Sequence, residues 1–276
     1  VEMSEFIHII TTRFNVPTQG WDITREGSKP LTDEWLADRF KLFQTYTLPS
    51  FKNQTNKNFI WLVFFDIHTS DHYKKIINKI SSEFSPFTPV FVRDFDEMNS
   101  QLLEIIPTYF NESTKYIISS DLDNDDILYK DFVKAVHDHF KPVHDMVIEP
   151  RKGLQLTKIS ETEAIVTEYY ALANPFVSLV ESIDDFGTVI KENHNNYRYY
   201  QHVNHYDNQE MFIQIIHKHN LMNSTFNNKC IFDLNLSDFG ISPENHLKIN
   251  KFKSLQHNMQ RVPMLVKNMI KKKFKH

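Results

Sequence analysis

The sequence predicts an α/β fold, with a single, mainly parallel sheet flanked by helices. Short apolar, β-branched runs alternate four times with segments that carry apolar residues at helical spacing. The run "FIWLVFF" at 59–65 is apolar throughout, which is typical of a parallel strand that is buried on both faces. With 276 residues, 41% of them hydrophobic, the chain can bury one large core. This alternation predicts parallel strands joined by helices on both sides of the sheet.

The first half of the chain contains the alternating elements. Thr32 is a good N-cap for the first helix, with Asp33 and Glu34 in its first turn, and Pro49 is expected to end it. Ser70 is a candidate cap for the second helix. The predicted strands are 5–12, 58–65, 88–92 and 115–119, and two further helices are predicted around 98–106 and 129–140.

The second half departs from this alternation. Beyond Met146, three short strand-like pieces precede a loop around Asn174 and Pro175 and a helix-like segment from Asn208 to His219. The sequence has no internal repeat and no strong linker. It therefore predicts one domain over residues 1–245, with an elaborated second half, and a basic, amphipathic, helical tail over 246–276.

Four aspartates crowd the end of the fourth predicted strand, in "SSDLDNDD". Asp121, Asp123, Asp125 and Asp126 would repel one another unless a cation neutralised them, and Mg²⁺ and Mn²⁺ favour such oxygen ligands. The carboxyl ends of strands in open α/β sheets are also where ligands bind. A calcium EF-hand is excluded, because Asp126 stands where glycine is needed and Phe132 stands where glutamate is needed.

Three interpretations of this acidic segment remain open at this point. It can be a solvated loop, since aspartate suits turns and helix caps. It can be the active site of a phosphotransferase of the haloacid dehalogenase type, with Asp121 as nucleophile and Asp123 as acid and base. It can also be the Asp-x-Asp site of a glycosyltransferase, in which Asp123–Asn124–Asp125 binds a metal ion against the diphosphate of a nucleotide sugar.

Several segments together resemble a rhamnosyltransferase-like family of bacterial and viral glycosyltransferases, which have the glycosyltransferase-A fold. The segments, in order between residues 6 and 223, are "TTRFNV", "WLADRFKLFQTYTLPSFKNQTNKNFIWLVFFD", "DLDNDD", "NPFVSLVE" and "FIQIIHKHN". The resemblance implies transfer of a sugar, with rhamnose or another deoxyhexose as the candidate, from a nucleotide-diphospho-sugar to a glycan or lipid-linked acceptor. It also implies a divalent cation, Mn²⁺ or Mg²⁺, at Asp123, Asp125 and Asp126.

Four residues outside the acidic segment are further candidates. Arg13 follows the first strand and can pair with a diphosphate, although a surface ion pair is the alternative. Asp66 ends the second strand, where related transferases bind the nucleobase; it can equally cap the next turn. Glu210 is the first candidate for the base that an inverting transfer needs, and Glu181 in "NPFVSLVE" is the second. The alternative for Glu210 is a capping box with Asp207.

Charge is distributed unevenly along the chain. The net charge is −4, but the sequence after Glu244 contains nine basic residues and no acidic one, which leaves −13 on the rest. A basic, amphipathic tail predicts peripheral contact with an anionic membrane surface, and a helix packed on the body is the alternative. The acidic body argues against nucleic acid as a partner.

The sequence also bears on the compartment. Its longest strongly apolar run is far shorter than the roughly 20 residues that span a bilayer, and its start lacks the features of a secretory signal. A single cysteine, Cys230, excludes an internal disulfide. We therefore expect a cytoplasmic enzyme, peripheral at the inner face of the membrane. A non-catalytic protein that binds membrane or nucleic acid through its tail is the alternative outside enzymology.

Overall fold

The structure is a computed structural model, and it describes residues 5–18, 32–216 and 228–261. Within these ranges the strands are β1 (Phe6–Arg13), β2 (Ile60–Asp66), β3 (Phe87–Val92), β4 (Tyr116–Asp121), β5 (Ile127–Leu128), β6 (Met146–Pro150), β7 (Lys152–Lys158), β8 (Glu163–Tyr170), β9 (Ser178–Ser182), β10 (His202–Tyr206), β11 (Phe212–Ile216), β12 (Cys230–Ile231) and β13 (Lys248–Ile249). The helices are α1 (Asp33–Leu42), α2 (Leu48–Lys52), α3 (Asp71–Glu83), α4 (Phe95–Ile105), α5 (Phe132–Asp138) and α6 (residues 251–261).

The centre of the fold is a seven-stranded sheet with the strand order β10-β6-β9-β4-β1-β2-β3. Six of its strands run in one direction, and β9 pairs antiparallel with both β4 and β6. Helices α1, α3 and α5 pack on one face and α4 packs on the other. This arrangement confirms the predicted mainly parallel α/β sheet, and it brings the carboxyl ends of β1, β2, β4 and β6 to one edge.

Aromatic side chains dominate the core between the sheet and the first helices. The ring of Phe51 stacks on Trp61 with centroids 3.6 Å apart, and both side chains are fully buried. The indole N–H of Trp61 donates to Thr12 Oγ1 at 2.9 Å, so this polar group is satisfied inside the core. Burial of each such side chain contributes about 1.5–3 kcal/mol. The core thereby holds β1 and β2, whose ends carry candidate site residues.

The elaborated second half forms a second sheet, with the order β12-β8-β7-β11-β5, and β13 pairs with β8. It has its own apolar core, which includes Leu154, Val166 and Ile213. Strand β5 begins directly after the acidic segment. The second sheet is therefore joined to the site through the chain that follows the aspartates.

The start of α1 is as predicted, but the helical path does not end at Pro49. Thr32 Oγ1 accepts a hydrogen bond from the N–H of Trp35 at 3.2 Å, which confirms the N-cap. Residues 43–47 form a π-helical turn, and the path continues through α2. Pro49 lies in the first turn of α2, where its missing N–H is tolerated. The prediction of a helix end at this proline was therefore wrong.

The helix predicted from Asn208 to His219 was also wrong over its described part. Residues 212–216 form β11, which pairs with β7 on one side and with β5 on the other. A short apolar run does not distinguish strand from helix by periodicity, so pairing with neighbours decided the outcome. Residues 217–227 lie outside the described ranges.

The described start of the predicted tail is attached to the body. Strand β13 extends the second sheet, and α6 packs against β12 with Ser254 fully buried. Three apolar side chains of α6 point outward, with exposed fractions of 78% for Phe252, 50% for Leu255 and 65% for Met259. Residues 262–276 lie outside the described ranges. Among the helices that are described, none is long and apolar enough to cross a membrane.

Candidate functional site

The acidic segment begins where β4 ends, at the edge where parallel strands present their carboxyl ends. Asp121 is the last residue of β4 and pairs in register with Thr11 of β1. Arg13 ends β1, and Asp66 ends the neighbouring strand β2. The structure thus brings Arg13, Asp66 and the acidic segment to one sheet edge, where α/β proteins bind ligands.

Crowded carboxylates are the main electrostatic feature of this edge. Asp125 and Asp126 are buried, whereas part of Asp123 is open to solvent. Desolvation by the surrounding protein, followed by the charges of Asp125 and Asp121, raises the pKa of Asp123 to about 6. Burial and the neighbouring carboxylates raise the pKa of Asp126 well above its usual range, and burial raises the pKa of Asp121. The four carboxylates carry more negative charge than the guanidinium groups of Arg13 and Arg39 can neutralise. A bound cation would reduce this excess negative charge.

Arg39, which sequence reasoning did not identify, contributes part of the positive charge. Its Nη1 lies 2.7 Å from Asp125 Oδ2 and donates to Asn124 Oδ1 at 3.0 Å. The exposed fractions of the Arg39 and Asp125 side chains are only 11% and 6%, and the guanidinium lies over the ring of Trp35. A signal was present in the sequence: Arg39 follows Leu36 by three positions and so shares the apolar face of α1, where a charge needs a partner.

Asn124 attaches the acidic segment to the surrounding elements. Its Nδ2 donates to the carbonyl of Phe14 at 2.8 Å, and its own carbonyl accepts from Thr47 Oγ1 at 3.1 Å. Thr47 ends the π-helical turn, a type of turn that is frequent at functional sites. Because the segment is held by α1, by the end of β1 and by this turn, the solvated-loop interpretation does not fit the structure.

Arg13 lies beside the same carboxylates. Its guanidinium lies over the ring of Phe95, with 5.3 Å from Cζ to the ring centroid. Burial lowers the pKa of Arg13, and the charges of Asp123 and Asp121 oppose this shift. The position suits contact with a diphosphate at the sheet edge, and that role of Arg13 stays a prediction.

Asp66 caps the turn that follows β2. Its Oδ1 accepts the N–H of His68 at 2.8 Å, and its own N–H donates to Asn15 Oδ1 at 3.1 Å. The hydrogen bond from His68 shows that Asp66 caps this turn, which was the alternative to nucleobase binding in the sequence analysis. Asp66 nevertheless stands at the functional edge, so its contact with a nucleobase stays a prediction.

The described residues do not form a metal site by themselves. Across 5–18, 32–216 and 228–261, no three His, Cys, Asp or Glu side chains are arranged to hold an ion. Their chemistry fits a different arrangement, in which one or two carboxylates bind Mg²⁺ and substrate phosphates and water complete its shell. Desolvation first, and then the neighbouring carboxylates, raise the pKa values of Asp123 and Asp126, so the charged forms of both are disfavoured without a counter-ion. The donor set therefore fits a cation that is shared with a diphosphate.

The structure places Glu181 at the other end of the sheet. It pairs in register with Ile117, four residues before the end of β4 and so roughly 13 Å from the acidic segment. Its carboxylate is fully buried, accepts the N–H groups of Gly187 and Thr188 at 2.9 Å each, and lies 2.9 Å from Lys191 Nζ. These contacts indicate that the carboxylate anchors the 187–191 turn, and the catalytic role of Glu181 stays a prediction that its position does not favour.

Glu210 lies in the loop before β11, so the helix start and the capping box predicted there are absent from this described stretch. Its carboxylate lies 2.8 Å from Lys152 Nζ, and 37% of its side chain is exposed. Burial acts to raise the pKa of Glu210, but hydrogen bonds from Lys152 and the backbone leave it below the usual value. An ionised, accessible carboxylate suits a base, and this role of Glu210 stays a prediction.

Comparison with known proteins identifies the family. Residues 8–229 match the model of the family described as "Putative rhamnosyl transferase". The chain belongs to this family. The region shared with the rhamnosyl transferase family includes Arg13, Asp66, the acidic segment and Glu210. A comparison with curated proteins finds no match.

Several solved structures are similar to this rhamnosyl transferase family member at low sequence identity. TarS 1–349 of S. aureus in complex with UDP-GlcNAc has a TM-score of 0.47 and 11% identity, over 81% of this chain and 62% of that chain. S. aureus TarS has a TM-score of 0.43 and 11% identity, over 77% and 37% of the two chains. The inositol-1-phosphate CTP transferase of T. maritima has a TM-score of 0.36 and 11% identity, over 77% and 90%. This chain thus spans less than two thirds of the TarS chains that it matches.

Proposed function

We propose that this chain is a glycosyltransferase that takes its sugar from a nucleotide-diphospho-sugar at the carboxyl edge of the central sheet. The observation that carries this proposal is the preorganised acidic segment after β4, which lies between the guanidinium groups of Arg13 and Arg39. Family membership supports the same reaction, with rhamnose or another deoxyhexose as the sugar, and favours it over a phosphotransferase of the haloacid dehalogenase type.

A divalent cation, Mn²⁺ or Mg²⁺, is part of this proposal, and one or two of the carboxylates of Asp123, Asp125 and Asp126 would bind it directly, with substrate phosphates and water as the other ligands. When bound, the cation would offset the negative charge that develops on the leaving nucleoside diphosphate. Arg39 orients the carboxylate of Asp125 through a short ion pair. Arg13 faces the same place with a fork of donors that suits phosphate oxygens.

The acceptor side of the reaction requires a base. Glu210 is the proposed base, because its carboxylate is ionised near neutral pH and 37% of its side chain is exposed, so that it can take a proton from an acceptor hydroxyl. Lys152 orients this carboxylate through a contact of 2.8 Å. Asp66 at the end of β2 is the proposed contact for the nucleobase.

Calorimetric titration tests the donor site. Nucleoside diphosphates and nucleotide sugars are titrated into the wild-type chain with and without Mn²⁺, and then into the Asp123→Ala variant. We expect Mn²⁺-dependent binding of one nucleoside diphosphate. The variant should bind roughly 10- to 100-fold more weakly, because it lacks one of the carboxylates that neutralise the cation.

Asp184→Ala is the matched control for this titration. Asp184 is exposed and follows β9 at the opposite edge of the sheet, so this variant should bind like the wild type. A folded wild-type sample that binds no nucleoside diphosphate would overturn the proposed function. If both variants bound the nucleoside diphosphate equally weakly, the donor site could not be assigned to the acidic segment.

We also propose that the acceptor is a glycan or lipid-linked glycan and that α6 contacts an anionic membrane surface. Positions 252, 255 and 259 share one face of the helix, and all three apolar side chains are at least half exposed. Lys251 and Lys253 are exposed beside this face. Apolar side chains flanked by cations favour the interface of anionic lipid bilayers.

Vesicle sedimentation measures this contact. The wild-type chain should sediment with vesicles that contain phosphatidylglycerol and far less with pure phosphatidylcholine. The double variant Phe252→Ala/Met259→Ala should bind at least about tenfold more weakly, because burial of each side chain contributes about 1.5–3 kcal/mol. Leu103→Ala, which alters a side chain with 42% exposure on α4, is the control. Undiminished binding of the double variant would contradict this membrane contact.

A further inference from the structure

The two sheets meet at a group of polar side chains outside the donor site. This junction cluster consists of Arg151, Lys152, Tyr170, Asp207 and Glu210, from the start of β7, the end of β8, the end of β10 and the approach to β11. Backbone hydrogen bonds join these elements: the N–H of Arg151 donates to β10 at 2.9 Å, and the carbonyl of Lys152 accepts from the residue after Glu210 at 3.0 Å. Ligand sites often occur at such junctions between structural units.

Side-chain contacts hold the junction cluster together but leave an aromatic ring in solvent. Lys152 and Tyr170 are cross-strand partners, and Lys152 Nζ lies 2.8 Å from Glu210. The hydroxyl of Tyr170 donates to Asp207 Oδ2 at 3.3 Å. Tyr170 is nevertheless 58% exposed. Its ring is therefore accessible to solvent and is surrounded by both cationic and acidic hydrogen-bonding groups.

The junction cluster is a neighbour of the acidic segment across the central sheet. Ser178 of β9 pairs with Ser120 of β4 and with Ile148 of β6. The next residues, Asp121 and Glu149, therefore lie in one row and on one face, two strands and roughly 10 Å apart. Arg151 then follows two positions after Glu149. The junction cluster and the acidic segment thus lie at the same edge of the central sheet.

Hydrogen bonds of the second sheet also connect the junction cluster with the acidic segment. The N–H of Tyr129 donates to the carbonyl of Met211 at 2.9 Å, and the N–H of Met211 donates to the carbonyl of Lys152 at 3.0 Å. Tyr129 is three residues after Asp126, which corresponds to roughly 10 Å along extended chain. By either route, the junction cluster lies at the same edge of the central sheet as the proposed cation.

The charges of the junction cluster indicate the kind of ligand that it suits. Lys152 pairs with Glu210, and Arg151 Nε lies 2.6 Å from Oε2 of the buried Glu149, which adjoins the cluster. The cluster has two cations and two carboxylates, and the adjoining Glu149 brings the net charge to −1, which disfavours an anionic ligand. Carboxylates and cationic donors together match hydroxyl groups, which both donate and accept hydrogen bonds. The exposed ring of Tyr170 offers a flat apolar surface for the C–H face of a sugar.

We propose that the junction cluster is the acceptor subsite and that it takes a neutral, hydroxyl-bearing sugar ring packed on Tyr170. This inference rests on the proposed function, because the donor site after β4 determines which neighbouring site receives the acceptor. It puts the proposed base Glu210 beside the acceptor hydroxyl, and it makes Tyr170 a residue that determines acceptor affinity.

Saturation-transfer NMR tests this subsite with defined probes. A panel of neutral methyl hexosides and methyl deoxyhexosides is added to the wild-type chain, to Tyr170→Ala and to the control Tyr199→Ala. Tyr199 is also exposed, at 81%, but it lies before the start of β10 and hence near the opposite edge. We expect saturation of the ring protons of a neutral glycoside by the wild type, and not of methyl glucuronide. Affinity should fall roughly three- to tenfold in Tyr170→Ala only.

Each outcome of this experiment has a definite meaning. Unchanged glycoside binding in Tyr170→Ala, an equal loss in Tyr199→Ala, or no glycoside contact with the wild type would overturn the acceptor subsite. Nucleoside diphosphate binding should be the same in Tyr170→Ala as in the wild type, because Tyr170 is outside the donor site. A wild-type chain that binds glycosides through Tyr170 but binds no nucleoside diphosphate would overturn the proposed function and leave a sugar-binding site.

Discussion

Asp125→Ala is expected to lose donor binding and to destabilise the fold at the same time. The substitution removes a proposed ligand of the cation and leaves the Arg39 guanidinium, which is 11% exposed, without its partner at 2.7 Å. Loss of one member of a buried ion pair costs about 3–5 kcal/mol. Calorimetry should show at least roughly a 100-fold loss of Mn²⁺-dependent nucleotide affinity. Denaturant unfolding should show the lowered free energy of unfolding.

A double variant separates the two effects. In Asp125→Ala/Arg39→Met neither charge remains buried, so most of the unfolding free energy should return. Nucleotide binding should stay lost, because the carboxylate is still missing. Recovery of binding in the double variant would contradict a direct role of Asp125 in holding the cation, and would leave it only as the counter-charge of Arg39.

Glu181→Gln is expected to give the largest loss of stability without a loss of catalysis per folded molecule. The carboxylate is fully buried, accepts two backbone N–H groups and pairs with Lys191. One of the N–H groups belongs to Thr188, which is held at a φ of 66°, a conformation that is unfavourable for a β-branched residue. We expect the free energy of unfolding to fall by about 3–5 kcal/mol.

Glu104→Gln provides the comparison for this variant. Glu104 is exposed on α4, so its unfolding free energy should stay within about 0.5 kcal/mol of the wild type. Turnover per folded molecule, measured well below the unfolding midpoint, should match the wild type in both variants. A stable Glu181→Gln protein with no turnover would support the catalytic role that the sequence suggested for this residue.

Much of the first half could be predicted because its signals are local. Continuous apolar runs gave the positions of β2 and β4, and the hydroxyl of Thr32 marked the start of α1 within one helical turn. The acidic segment was also visible, since its four carboxylates follow one strand. Each of these inferences depends on residues that are close in the chain, where periodicity and capping chemistry act directly.

The partner of Asp125 could not be predicted in the same way. Arg39 lies 86 positions earlier, and only the packing of α1 against the end of β4 brings the two charges together. The helical spacing from Leu36 indicated that Arg39 faces inward, but not which carboxylate it meets. For the same reason the sequence, although it marked Glu210 and Asp207, did not indicate that they join Arg151, Lys152 and Tyr170 in the junction cluster.

The sequence by itself determined the α/β class, the order of the alternating elements in the first half and the point at which negative charge collects. Tertiary structure alone decided that residues 212–216 are a strand, that Glu181 anchors a turn roughly 13 Å from the acidic segment, and that Arg39 neutralises Asp125. The physical reason is that periodicity and charge are properties of neighbours along the chain. Strand pairing and ion pairing depend instead on contacts between residues far apart in sequence, which exist only once the chain has folded.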